Sequence, residues 1–379
     1  MIRTIKLLAF SCAIILGYNT TAAQENVNEL ISSIKKQLAP DSRIAIVDIN
    51  AEESNGKWIL KGKVDNNILK HHILQNLSSN GVKYIDSVSV LEYTQEKPWA
   101  IVKLAIASLR TAGKHSAEMA TQAIMGTPVK ILEYSGDWAR VQTPDEYISY
   151  VPSNSLHKIT QLEFDAWRKA KRYIVTEYQT QLVDDAGNTV SDLVMGNILE
   201  YKGEKGNQIE LSTPDGRIGY VEKNEVQELS SWSNQTFNAE LISKVAHRLM
   251  GHGYLWGGTS TKVTDCSGLV KVSYFANGII LHRDASQQAL IGSVMSAENW
   301  KEAQLGDLLF FGSKSGRVTH VAIYLKDGEY IHCSGRVKIN SVDPNADNYL
   351  TTPFLSMTRI NGKIGTKGIT MVKNHIWYF

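Results

Sequence analysis

Two cysteines survive once the first 23 residues are set aside, and the sequence around one of them suits a nucleophile. In Tyr254-Leu-Trp-Gly-Gly-Thr-Ser-Thr-Lys-Val-Thr-Asp-Cys-Ser-Gly-Leu-Val, paired glycines allow a tight turn and Asp265 can cap a helix beginning at Cys266. Leu269, Val270, Val272 and Phe275 follow at helical spacing, and Asn277-Gly278 ends the run. A cysteine at a helix N-terminus sits where the dipole favours the thiolate; a structural cysteine would more naturally lie mid-helix on the apolar face.

A thiolate nucleophile needs a base, and the chain has ten histidines. His320 and His332 stand out because Val318-Thr-His-Val-Ala-Ile-Tyr-Leu and Glu329-Tyr-Ile-His-Cys read as strands joined at Lys326-Asp327-Gly328. A two-residue loop would put the histidines on opposite faces; a three-residue loop with a left-handed Gly328 pairs 325 with 329 and puts both on one face. The second is expected, with His320 as base, His332 holding its imidazole and Cys333 pointing away. That arrangement argues against a Cys266–Cys333 disulfide and against a zinc site.

The rest of the chain supplies the frame. Residues 1–23 combine Arg3 and Lys6, an apolar run from Leu7 to Leu16 and small residues at Thr21-Ala22-Ala23. This is the pattern of a secretory signal peptide, too short to span a membrane. The expected mature chain is exported, periplasmic or extracellular, with no membrane span. It carries 38 cations against 38 anions, which does not favour a nucleic-acid partner. Residues 24–98 read as a small α/β module: helix 28–38, strands over 43–49, 57–64 and 84–91, and a helix over 66–77.

An internal repeat follows. Ala123-Ile-Met-Gly126 recurs as Leu193-Val-Met-Gly196, Leu132-Glu-Tyr134 as Leu199-Glu-Tyr201, and Thr143-Pro-Asp145 as Thr213-Pro-Asp215. The offsets are 70, 67 and 70, which predicts a three-residue loop difference. Short strands broken by Gly, Asp and Pro favour a small barrel in each copy, over 99–160 and 168–230. Tyr150 matches Tyr220, so an aromatic there is expected to serve the barrel core. Tyr147 matches Arg217 and Glu118 matches Asn188, so neither Tyr147 nor Glu118 is required by the shared fold.

These segments carry a resemblance. Gly136-Asp-Trp-Ala-Arg-Val and Tyr147-Ile-Ser-Tyr-Val resemble bacterial SH3-like domains. Tyr-x-Trp-Gly-Gly, Asp-Cys-Ser-Gly, Gly-Asp-Leu-Leu-Phe-Phe and His-Val-Ala-Ile-Tyr, spread over 245–375, resemble the NlpC-type, papain-like cell-wall peptidases. The resemblance implies an α+β multidomain chain with a catalytic domain over 238–379 and a Cys266–His320–His332 site. It also implies a nucleophile helix packed on an antiparallel sheet.

With tandem SH3-like domains in front, the chain is similar to peptidases that cut γ-D-glutamyl-diamino-acid bonds in muropeptides with a free N-terminal L-alanine. By that similarity, Asp265, Tyr254, Glu118 and Tyr147 would receive the ammonium. Ser267, Arg283, Asp284, Ser286 and Arg336 would line the cleft, or else serve as turn and cap residues. No metal or organic cofactor is called for, and a monomer is expected. The alternatives are an amidase or endopeptidase acting on intact cross-linked peptidoglycan, and a non-catalytic wall-binding protein.

Overall fold

The computed structural model describes residues 26–379 apart from residue 93 and divides into two units, one ending at Glu96 and one from Lys97 to Phe379. The expected signal peptide lies outside the described residues.

The first unit is a small α/β layer. A helix over 26–38 and the helix Asn67–Ser79 cover a three-stranded sheet, with Ala51, Leu60, Val64, Ile73 and Leu77 among its buried residues. Asn66 caps the second helix by accepting from the Leu69 N–H, which is why that helix starts where the sequence suggests. Lys57–Val64 and Tyr84–Val90 pair in parallel around this helix. The first strand runs Val47–Ser54 rather than over 43–49. Asp41 draws Arg43 into a local turn that takes 43–46 out of the sheet.

In the second unit the two repeat copies fold into seven-stranded barrels of identical strand order. Their registers correct the predicted offset. Leu109 pairs with Thr121 as Leu182 pairs with Ser191, and Ile131 pairs with Val141 as Tyr201 pairs with Leu211. The offset is thus a constant 70 from Thr121 onward, and the Leu-Glu-Tyr match at 67 is a coincidence of composition. The three-residue difference is real but lies earlier. The loop 111–118 of the first barrel answers to 184–188 of the second, and Glu118 ends the longer loop. Tyr150 and Tyr220 do share a role, but not a core one. Both are half-buried, and each ring lies under a cation of its own barrel, Arg140 or Lys205.

The helix Gln161–Lys169, started by a capping box between Thr160 and Glu163, joins the barrels. Its Phe164 and Trp167 pack with Trp99, Trp232, Ile280 and Tyr378 into one apolar cluster shared by both barrels and the C-terminal domain. The C-terminal domain lays the helices Ala239–Arg248 and Cys266–Phe275 on one face of a six-stranded antiparallel sheet. The sheet order is Ser293–Ser296, Phe354–Arg359, Leu308–Gly312, Val318–Tyr324, Glu329–Ser334, Arg336–Ser341. The chain is thus α+β and multidomain, as the sequence suggests.

Candidate active site

Cys266 is the first residue of the helix Cys266–Phe275. Asp265 caps that helix, its Oδ1 accepting from the Gly268 N–H at 2.7 Å and its Oδ2 from the Gly257 N–H at 2.9 Å. Gly268 has to be glycine, because a Cβ there would sit 1.9 Å from the Gly258 carbonyl oxygen. The Asp-Cys-Ser-Gly run is therefore a cap, an N-terminal thiol and a close backbone contact that fixes the helix against the preceding loop.

The strands Val318–Tyr324 and Glu329–Ser334 meet through a three-residue loop. Tyr324 pairs with Tyr330, and Leu325 N–H donates to Glu329 C=O, with Gly328 at φ +83°. His320 and His332 consequently share a face, and His320 Nε2 and His332 Nδ1 share a hydrogen bond at 2.7 Å. Cys333 points the other way, fully buried in the core with Val321 and Ile331, and both cysteines are free thiols.

The two strands pair at Ile323/Ile331 and Tyr324/Tyr330, and Cys266 Sγ accepts from the Val321 backbone N–H beyond those pairs. This brings the thiol beside the residue next to His320. His332 also bonds to Asn340 Oδ1 at 2.9 Å through its Nε2. Sequence reading overlooked Asn340. The signal available was the register across the turn at Gly335, which sets Lys338 opposite His332 and Asn340 on the diagonal.

The electrostatics differ from the thiolate expected at a helix N-terminus. Burial, and then Asp265, push the Cys266 thiol up to about 11, outweighing the N–H groups of Val321 and Ser267 and the charge of Arg283. Burial, then His332 and Lys338, bring His320 down to about 3, and burial brings His332 down to about 4. The resting pair is a neutral thiol beside neutral imidazoles, because desolvation at a 7%-exposed cysteine exceeds the dipole's contribution. Burial, with Cys266 and Asp265 nearby, raises the Tyr254 phenol, which stays a hydrogen-bond donor at neutral pH.

The remaining predicted residues fall into two groups. Arg283, 1% exposed, donates to both oxygens of Asp265, to Ser267 Oγ at 2.6 Å and, from the far edge of its fork, to Thr121 Oγ1 of the first barrel at 3.0 Å. Asp265, Ser267 and Arg283 therefore saturate one another. Thr121, which the sequence did not mark, ties the Cys266 helix to that barrel.

Tyr147 and Asp284 meet across the same junction, the phenol donating to Asp284 Oδ2 at 3.2 Å. Asp284 also starts the helix Ala285–Gln288, where Ser286 is half-buried. Gly257 abuts the Met119 carbonyl, which sets the exposed Glu118 one residue from the loop of Tyr254. Arg336 is exposed at a bridge to Gly253. Lys271 and Asp145, both half-buried, form a further ion pair between the domains.

A helix-terminal cysteine laid on an antiparallel sheet with a coupled histidine pair defines a cysteine hydrolase of α+β fold. Residues 251–359 match the NlpC/P60 family and residues 109–156 the bacterial dipeptidyl-peptidase SH3 domain. The chain thus carries an NlpC/P60 cysteine peptidase domain, with a bacterial dipeptidyl-peptidase SH3 domain ahead of it.

Among similar proteins, dipeptidyl-peptidase 6 of Lysinibacillus sphaericus is 28% identical over 283 residues, covering 69% of this chain and 98% of the relative. A γ-D-glutamyl-L-lysine dipeptidyl-peptidase of Bacillus cereus is 28% identical over 234 residues, covering 57% of this chain and 67% of the relative. A crystal structure of an NlpC/P60 family protein from Bacillus cereus, 22% identical, has a TM-score of 0.59 and covers 69% of this chain and 99% of that one. At that identity the likeness is one of fold.

Proposed function

We propose that the chain is an exported endopeptidase that cuts the γ-D-glutamyl-diamino-acid bond of peptidoglycan stem peptides bearing a free N-terminal L-alanine. The observation that carries this is the docking of the first barrel on the nucleophile's helix. Arg283 holds Asp265, Ser267 and Thr121 together, Tyr147 reaches Asp284, and Met119 lies against Gly257. A barrel seated there closes one end of the cleft, so a short peptide terminus fits and a continuous wall strand does not. The names of the similar peptidases point the same way.

Cys266 is the nucleophile and His320 the base. The thiol loses its proton to the imidazole as sulfur attacks the γ-carbonyl, since neither group is charged at rest. The oxyanion is received by the Cys266 N–H, which as the first helical residue has no intrahelical acceptor, and by the Tyr254 hydroxyl. The imidazolium then protonates the leaving amine, and water, deprotonated by His320, releases the acyl group.

The substrate ammonium is received at the exposed Glu118 and beside the Tyr147–Asp284 pair, while Ser286 and Arg336 border the cleft. Asp265 acts mainly through Arg283 and the helix, because its oxygens already accept from five donors. Incubation with L-Ala-γ-D-Glu-diaminopimelate, its N-acetylated analogue and purified sacculi tests the reading. The free peptide should be cut roughly ten- to a hundredfold faster than the acetylated one, the scale of losing a charge-assisted hydrogen bond. Equal rates, or preferential release from sacculi, would favour the endopeptidase on intact wall.

A further inference from the structure

We propose that Asn340 is a positioning residue that fixes the protons along the histidine couple and leaves His320 Nδ1 as the nitrogen that takes the thiol proton. The proposal deepens the reading of Cys266 and His320 as nucleophile and base, and rests on it.

Asn348 C=O accepts from the Asn340 side chain at 2.7 Å and from the Ser341 N–H at 3.2 Å. A carbonyl oxygen only accepts, so the amino end of the Asn340 amide must face it, and Oδ1 must face His332. Oδ1 also only accepts, so the hydrogen of the 2.9 Å contact belongs to His332 Nε2. A neutral imidazole carries one N–H, which makes His332 Nδ1 an acceptor. The 2.7 Å bond between the rings is then donated by His320 Nε2, and Nδ1 of His320 is left without a proton.

The neutral state on which this depends is favoured by the surroundings. Burial opposes a positive charge on both rings and Lys338 adds to it. The Asn340 bond favours a charge on His332 and Asp265 one on His320, but neither outweighs burial, and the Phe311 and Tyr330 rings pack against the couple. Asn340 thus does for this couple what the third group of a catalytic triad does for its histidine, one residue further out.

Histidine ¹⁵N chemical shifts and long-range ¹H–¹⁵N couplings of the full chain read the tautomers directly, with His320→Gln and His332→Gln spectra as assignments. Both rings should be protonated on Nε2; a proton on Nδ1 of either would overturn the proposal. Asn340→Leu should lower kcat roughly ten- to a hundredfold, the usual cost of losing a partner that orients a functional imidazole. KM should stay within about twofold, as for a loss confined to the transition state. The His332 resonances should move toward the other tautomer.

Asn340→Asp keeps the acceptor for His332 and adds negative charge while losing the bond to the Asn348 carbonyl. It should therefore retain more activity than Asn340→Leu and move the acid limb of kcat/KM to higher pH. A fully active Asn340→Leu, or tautomers unmoved in it, would overturn the proposal. So would an Asn340→Asp as impaired as Asn340→Leu with its limb unshifted. Cleavage by Cys266→Ala would instead sink the functional reading and leave the tautomer result standing.

Discussion

At the scale of single residues, the site combines groups whose protonation is set by burial. Burial pushes the Cys266 thiol up to about 11 and brings His320 and His332 down to about 3 and 4, which keeps all three neutral across the neutral range. The acid limb of kcat/KM should therefore fall well below pH 6.5, the ordinary range of histidine. If the proposed ammonium recognition holds, the alkaline limb should follow the substrate's α-amino group, near pH 8.

The same shifts act on folding. A histidine whose folded value is lowered binds fewer protons in the native state, so stability is level above pH 6.5 and falls as the pH drops toward 4 and 3. Thermal unfolding midpoints measured from pH 7 to 4 should fall, and fall less in His332→Gln. An unchanged slope in that variant would contradict the burial account.

At the scale of elements, two features hold the geometry. One is the glycine in the first turn of the helix Cys266–Phe275, where Gly268 meets Gly258. Gly268→Ala should cost at least about 3 kcal/mol, the upper range for overpacking a tight contact, read as a lowered denaturant midpoint. The other is the three-residue loop 326–328 between the histidine strands. Deleting Asp327 would favour a two-residue loop and exchange the faces of His332 and Cys333; loss of activity with a folded far-UV spectrum is expected.

These elements were legible because cap, glycine and alternation are local signals. The turn chemistry at Asp327-Gly328 gave the register, and the spacing of Leu269, Val270 and Val272 gave the helix. The charge state was not legible. Helix position argued for a thiolate, and only packing reveals that Cys266 is desolvated and that Asp265 adds to the cost. Asn340 escaped for a similar reason: its role needs a second hairpin, at Gly335, to carry it to His332. The repeat comparison marked Glu118 and Tyr147, but it misplaced the three-residue insertion, since Leu-Glu-Tyr matched by composition out of register.

At the scale of the molecule, the barrels and the catalytic domain are joined by buried polar contacts rather than by a flexible linker. Lys271 and Asp145 are both half-buried, and desolvation opposes the Asp145 charge, yet Lys271 and Thr143 outweigh it and hold the carboxyl below its usual range. Lys271→Met would strand that carboxylate, at a cost of about 3–5 kcal/mol seen in equilibrium unfolding.

Arg283 makes the other link, and its fork is matched to two oxygens of Asp265 while a third N–H reaches Thr121. Lysine cannot reproduce that geometry. Arg283→Lys should lower kcat/KM even if the fold persists, by loosening the helix cap and the barrel together. In the proposed function the barrel matters because it carries Glu118, on a loop three residues longer than its repeat counterpart, next to Met119, which abuts Gly257.

The account is tested most directly by identifying the products released from L-Ala-γ-D-Glu-diaminopimelate by the wild-type chain and by Cys266→Ala. It predicts L-Ala-γ-D-Glu and free diaminopimelate from the wild type and no cleavage by the variant. Cleavage between alanine and glutamate, or turnover by Cys266→Ala, would contradict it.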